Sequence, residues 1–283
     1  MTSYEYYLYL DMEYFILFLS GIVGGLIAGL LGLGGGIFYI MVLPFVIQWY
    51  GISAEDSSAF VVANSLLGIC IASGSSMVTA FKKLKIYIKE SLMIGIPAII
   101  ISLLTTHFIV HSEWFSKELF NGFVVLLMIF ILIQMIVKTR KTTEISQSDS
   151  LIPLLPAAIG GSISGLISAI SGLGGGIIII PLLQIKFKQS LKKSKLISLT
   201  IIFLSSLLLS IQNLLSETNL KSEGLSQIGY ILPSIAIPIV FGVVIGGPLG
   251  ITWSSKMKDN TINKIFIAFV TIILIEKSTY FIF

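Results

Sequence analysis

Ten apolar stretches, parted by short charged or polar connections, make up most of this sequence: 14–31, 37–49, 58–81, 91–110, 118–137, 151–171, 177–185, 196–215, 229–252 and 262–281. A helix rises about 1.5 Å per residue and a bilayer core is about 30 Å thick. Eight of the ten are therefore long enough to cross, given tilt and generous ends. The stretches 37–49 and 177–185 are shorter, and whether they span or re-enter is left open. No Asp, Glu, Lys or Arg falls in the middle of any stretch, and charged residues are 11% of the chain; soluble proteins carry about 25%. The fold class expected is an all-α integral membrane protein. A soluble enzyme, a disordered tail and a nucleic-acid binder are excluded. The single cysteine, Cys70, sits in an apolar stretch and can build neither a disulfide framework nor a Cys-rich metal site. The first thirteen residues hold no Lys or Arg, so the stretch 14–31 lacks the basic flank of a cleavable signal peptide and is expected to be retained.

The connections sort sharply by charge. Loops 82–90, 138–150, 186–195 and 253–264 hold 15 of the 18 Lys and Arg residues and only four of the 14 acids. The opposite connections hold ten acids, among them Glu55, Asp56, Glu113 and Glu217, with Lys117, Lys221 and Lys277. One side carries +11 and the other −7. By the positive-inside rule the basic side is cytoplasmic, which puts both termini outside, in a plasma or inner membrane.

An internal repeat sharpens this picture. Gly29–Ile40 reads GLLGLGGGIFYI and Ala169–Ile180 reads AISGLGGGIIII, seven identities in twelve at a separation of 140. Gly21, Gly25, Leu26 and Ile27 match Gly161, Gly165, Leu166 and Ile167 at the same separation, and Pro97 answers Pro238. The expected organisation is a first transmembrane repeat over 1–138, a charged cytoplasmic linker over 139–150 and a second repeat over 151–283. Each half crosses an odd number of times, because the first two stretches go in and come back while the other three cross once. The halves must then be inverted. Inverted repeats with short, glycine-interrupted segments at matching positions point to a secondary transporter whose site lies at the repeat interface.

The glycine turns supply the chemistry. Gly32, Gly34, Gly35 and Gly36, and Gly172, Gly174, Gly175 and Gly176, leave the main chain almost unshielded and able to take positive φ. Successive amides in such a turn can cradle an anion, helped by the positive end of the helix that follows. Backbone so exposed must be buried in protein or line a watery cavity. The glycines spaced by four, Gly21/Gly25/Gly29, Gly161/Gly165 and Gly242/Gly246/Gly250, are instead expected to serve close helix packing. Nearby side chains that could join the site are Asn64, Ser65 and Thr200, with Ser198, Ser168 and Ser171 at hand. With no acid in the middle of any stretch, the expected partner is a small anionic solute, with the lipid bilayer around it. No cofactor, metal or nucleic acid is expected, and homo-oligomerisation is left open. The GLGGGI strings lack the spacing and the lysine of a nucleotide loop. An intramembrane serine hydrolase built on Ser171 would need a base, and His107 and His111 both fall near the outer face. A membrane assembly or structural subunit without transport of its own remains the alternative.

The doubled glycine turn, the apolar stretch with proline after it and the segment AEDSSAFVVANSLLGI together resemble the sulfite exporter TauE/SafE family of membrane permeases, over about residues 15–281. The resemblance implies transport of sulfite or a related sulfur-containing or organosulfonate anion. It maps the family's paired turns onto Gly32, Gly34, Gly35 and Gly36 and onto Gly172, Gly174, Gly175 and Gly176. The family proline five residues after the glycines is present as Pro181; in the first half that position is Met41, and the proline is Pro44. In the family-like motif Asn64 stands where Thr is common and Ser65 is kept, with Thr200 as the counterpart in the second half.

Overall fold

The computed structural model describes residues 3–49, 52, 57–81, 87–112, 115–140, 152–218 and 226–279. Ten α-helices follow in order: α1 Ser3–Leu31, α2 Gly36–Trp49, α3 Ser57–Phe81, α4 Ile88–Thr105, α5 Lys117–Arg140, α6 Leu154–Ser171, α7 Gly176–Pro181, α8 Leu191–Leu215, α9 Pro233–Ser254 and α10 Asp259–Thr279. Single π-helical turns extend α4 over Thr106–Val110 and α7 over Leu182–Lys186. Among the described residues no strand forms beyond one isolated bridge, Ile228 with Ile231. Helices are the expected outcome for segments apolar on every face, because each satisfies its own backbone hydrogen bonds away from water.

Among the described residues, seven helices are long and apolar enough to cross a membrane: those within Met12–Leu31, Ser57–Phe81, Ile88–Val110, Lys117–Gln134, Leu154–Ser171, Leu191–Leu215 and Pro233–Ser254. The chain is a multi-pass membrane protein. The eighth expected span, 262–281, folds as α10, and its last residues lie outside those described. The stretches expected to be short are short: Gly36–Gln48 and Gly176–Lys186. The linker from 141 to 150 lies outside the described residues.

The glycines spaced by four do serve packing. A Cβ added at Gly21, Gly25 or Gly29 would strike the main chain of α9 at Ile239, Val243 and Gly247, and one at Gly242, Gly246 or Gly250 would strike the main chain of α1. Gly161 and Gly165 press on the carbonyls of Ile94 and Ala98 in the same manner. Only hydrogen in place of a side chain lets the backbones come this close. The contacts advance together along both chains, so α1 runs parallel to α9 and α4 parallel to α6. Between these pairs α3 and α8 form the centre, most of their residues buried.

The ends of the bundle differ. At the basic end the start of α8 meets the ends of α3 and α9 around one cavity, and Lys193 pairs with Glu90 of α4 at 3.4 Å. At the other end, Asn64 near the start of α3 accepts a hydrogen bond from the Leu232 amide (3.0 Å) and donates to the Tyr230 carbonyl (3.1 Å). There His111 stacks on Tyr230 with centroids 4.3 Å apart, and its Nε2 lies 2.9 Å from Asn213 Oδ1. Burial and the neighbouring His107 lower the His111 pKa, opposed by the bond to Asn213.

Candidate functional site

Helices α1 and α6 end in the same way. Gly32 (φ 76°) and Gly172 (φ 64°) take the left-handed conformation, and their amides reach back to the carbonyls of Ala28 (2.8 Å) and Ser168 (2.9 Å). Two further left-handed glycines follow in each turn, Gly34 and Gly35 at 77° and 79°, Gly174 and Gly175 at 82° and 67°. Left-handed backbone is open to glycine and costs other residues about 1–2 kcal/mol each. Three such positions in five residues therefore explain the spacing G-x-G-G, with α2 and α7 starting at Gly36 and Gly176. Among the described residues no acceptor meets the amides of Gly34, Gly35, Gly174 or Gly175. Buried donors left in that condition cost energy that a ligand or water can return.

The two turns meet. A Cβ on Gly36 would come within 2.8 Å of the Gly172 carbonyl, and one on Gly176 within 3.2 Å of the Gly32 carbonyl. Gly34 and Gly174 both rest against the Cγ2 atoms of Ile69 and Ile202. Each turn is also held by a serine from the central helix of the other half. Ser65 Oγ of α3 donates to the Gly172 carbonyl at 2.7 Å, and Ser198 Oγ of α8 donates to the Gly32 carbonyl at 2.9 Å. At 1.5 Å per residue these serines lie roughly 10–12 Å into their helices from opposite ends, so the turns flank the middle of the bundle.

The expected site residues separate on this geometry. The eight glycines and Ser65 come together. Asn64 faces away from the turns: besides Tyr230 and Leu232 it donates to the Phe60 carbonyl at 2.8 Å, so its amide is engaged in tying α3 to the strand of chain before α9. Thr200 is not the counterpart of Ser65. It bonds the carbonyl of Leu196 in its own helix at 2.9 Å, and Ser198 holds the matching place. Ser65 and Ser198 are 133 positions apart rather than 140, because the connection from the glycines to the central helix is shorter in the second half and its serine comes seven residues sooner. Allowing for that shorter connection would have pointed to Ser198. Ser171 bonds its own helix at the Ile167 carbonyl (2.6 Å), and the Leu173 amide donates to it. Ser164, which the glycine alignment pairs with Gly24, donates to the Gly175 carbonyl at 2.9 Å. Ser168 Oγ, buried beside Gly175, has no hydrogen-bond partner. The remaining surprise is Lys195, whose stem lies on Gly32.

The sulfite exporter TauE/SafE family profile matches residues 17–276. A probable membrane transporter protein of Methanocaldococcus jannaschii is 30% identical over 245 residues, 86% of each chain. Probable membrane transporter proteins of Bacillus subtilis and Haemophilus influenzae are 25% and 24% identical over 89% and 91% of this chain and 92% and 95% of their own. No solved structure matches the chain.

Proposed function

The chain belongs to the sulfite exporter TauE/SafE family and is a membrane permease, not an enzyme; on that footing we propose that it moves a small anion, sulfite or a related sulfur-containing or organosulfonate anion, past its two glycine turns. The observation that carries this reading is the set of four unpaired glycine amides at the meeting of the turns, with the unpartnered Ser168 hydroxyl beside them. Amides neutralise an oxyanion by hydrogen bonding without introducing a fixed charge that would trap it. Ile69 and Ile202 stand between the turns as an apolar wedge, and transport requires them to part. The two halves are inverted repeats in this reading, supported by the opposite courses of α1 and α6 and by the crossed serines. Their boundaries follow the sequence: 1–138, a linker over 139–150, and 151–283. With the basic end cytoplasmic, an inside-negative potential favours export by about 2.3 kcal/mol per charge per 100 mV, with no coupling ion.

The test is flux of radiolabelled sulfite, and then of ethanesulfonate and sulfate, in proteoliposomes held at a set potential. Potential-driven flux is expected from the wild-type protein, and its loss from a folded Gly35→Ala/Gly175→Ala variant. No flux of any of these anions from folded wild-type protein would overturn the reading.

A further inference from the structure

At the basic end a cavity of about 220 Å³ opens between α3, α8 and α9, and Lys195 forms part of its wall. Thr79, Lys192, Thr252, Ser254 and Ser255 also line it, and no carboxylate does among the described residues. Lys192 is exposed, whereas Lys195 is 8% exposed. The Lys195 ammonium donates to the Leu30 carbonyl at 2.7 Å, in the last turn of α1, and to Ser254 Oγ at 2.8 Å. Its stem continues inward: a Cβ on Gly32 would lie 2.9 Å from Lys195 Cγ. One side chain therefore reaches from the cavity to the first glycine turn.

The other half has no lysine at the matching place. At the second turn, Gly172 rests on the main chain of Val62, which is displaced from Lys195 by the same 133 positions that separate Ser65 from Ser198. Sinking an ammonium into a membrane protein is costly unless hydrogen bonds or charge compensate it. Its presence at one turn alone breaks the likeness of the halves with a positive charge, in a cavity large enough for an oxyanion and several waters at about 30 Å³ per water.

We propose that this cavity is the anion-entry site of the permease, and that Lys195 with Ser254 binds a small oxyanion there before it passes to the Gly32 turn. The proposal rests on the anion-permease reading and adds a site at one end only. An arriving anion competes with the Leu30 carbonyl for the ammonium, while Lys192 at the rim adds attraction from a distance.

The experiment measures sulfite flux against concentration, with anion supplied from the basic end and then from the other end of oriented proteoliposomes. Lys195→Met should raise the half-saturating concentration from the basic end by roughly tenfold or more, the value of one charge-assisted hydrogen bond, and leave the value from the other end within about twofold. Lys195→Arg should restore most of it. If Lys195→Met does not fold, the exposed cavity position Ser255 decides: Ser255→Glu should weaken and Ser255→Lys strengthen sulfite saturation from the basic end by about threefold each, through charge alone. Saturation from the basic end that is unmoved in folded Lys195→Met, or in both Ser255 variants, overturns the proposal. Should wild-type protein move no anion, the transport reading falls, and equilibrium dialysis of labelled sulfite against the same variants in nanodiscs still decides the Lys195 site by the same shifts.

Discussion

The two glycine turns share a backbone and differ in what surrounds it. Both have left-handed glycines at three matching positions, and both offer a carbonyl to a serine from the opposite half. Yet Gly35 faces the main-chain carbonyl of Gly24, whereas Gly175 faces the hydroxyl of Ser164 first and the carbonyl of Ser164 behind it. Gly32 lies on the side chain of Lys195 and Gly172 on the main chain of Val62. Tyr39, buried against Gly24 and Gly68, follows the first turn where Ile179 follows the second. The conformation is thus dictated by the local sequence, while charge and tolerance to change come from the neighbours.

The largest expected effect separates a main-chain wall at Gly35 from a wall at Gly175 that is part hydroxyl and part main chain. Gly35→Ala and Gly175→Ala should each destabilise the protein by on the order of 3 kcal/mol, from a left-handed alanine plus overpacking. In a Ser164→Gly background the cost of Gly175→Ala should shrink by about 1 kcal/mol, a coupling between touching residues. The same background should leave the cost of Gly35→Ala unchanged. Unfolding in mixed micelles measures all of these, and equal costs of Gly175→Ala in both backgrounds would contradict the wall assigned to it.

A smaller effect tests the likeness itself. Ser65→Ala and Ser198→Ala each strip a hydroxyl from a buried glycine carbonyl and should cost about 1–3 kcal/mol, with the two values alike. Thr200→Ala should cost far less, since its bond is to its own helix. A Thr200→Ala loss as large as that of Ser198→Ala would reverse the pairing drawn between the halves.

The smallest effect concerns the end of the bundle away from the lysines. The folded His111 has its pKa lowered below 6.5 by burial, so below that pH the unfolded chain takes up the proton first. Its contribution to stability is whole above pH 6.5 and declines as pH falls beneath it. His111→Gln should therefore flatten the dependence of Tm on pH between about 7 and 5. A slope identical to wild type would show that the imidazole titrates as freely as in the unfolded chain.

Much of this molecule was legible before any fold was known. Segment length and polarity pick out the helices because a bilayer-spanning segment must satisfy its own backbone hydrogen bonds. The three left-handed positions in each turn are legible for a similar reason, since G-x-G-G encodes φ locally. Asn64, Ser198 and Lys195 were not legible in this way. Asn64 stands beside Ser65 in the chain, but neighbouring residues on a helix point in different directions, and its amide binds a segment 166 residues away. Lys195 counts in the sequence as one more basic residue of a lysine-rich loop. The fold buries it one helical turn before Ser198, against Gly32 and Leu30.

The sequence by itself determined what short-range physics governs: helices of membrane length, the charge difference between the two faces, and two glycine turns of one conformation. Only the tertiary structure decided which serine meets which turn, where the amide of Asn64 goes, and that a lysine rather than a valine lies under the first turn. Those contacts join residues more than a hundred positions apart, and they depend on how far each helix is shifted against its neighbour. That shift is set by connection lengths and by glycine-to-backbone contact between helices, which no local pattern records.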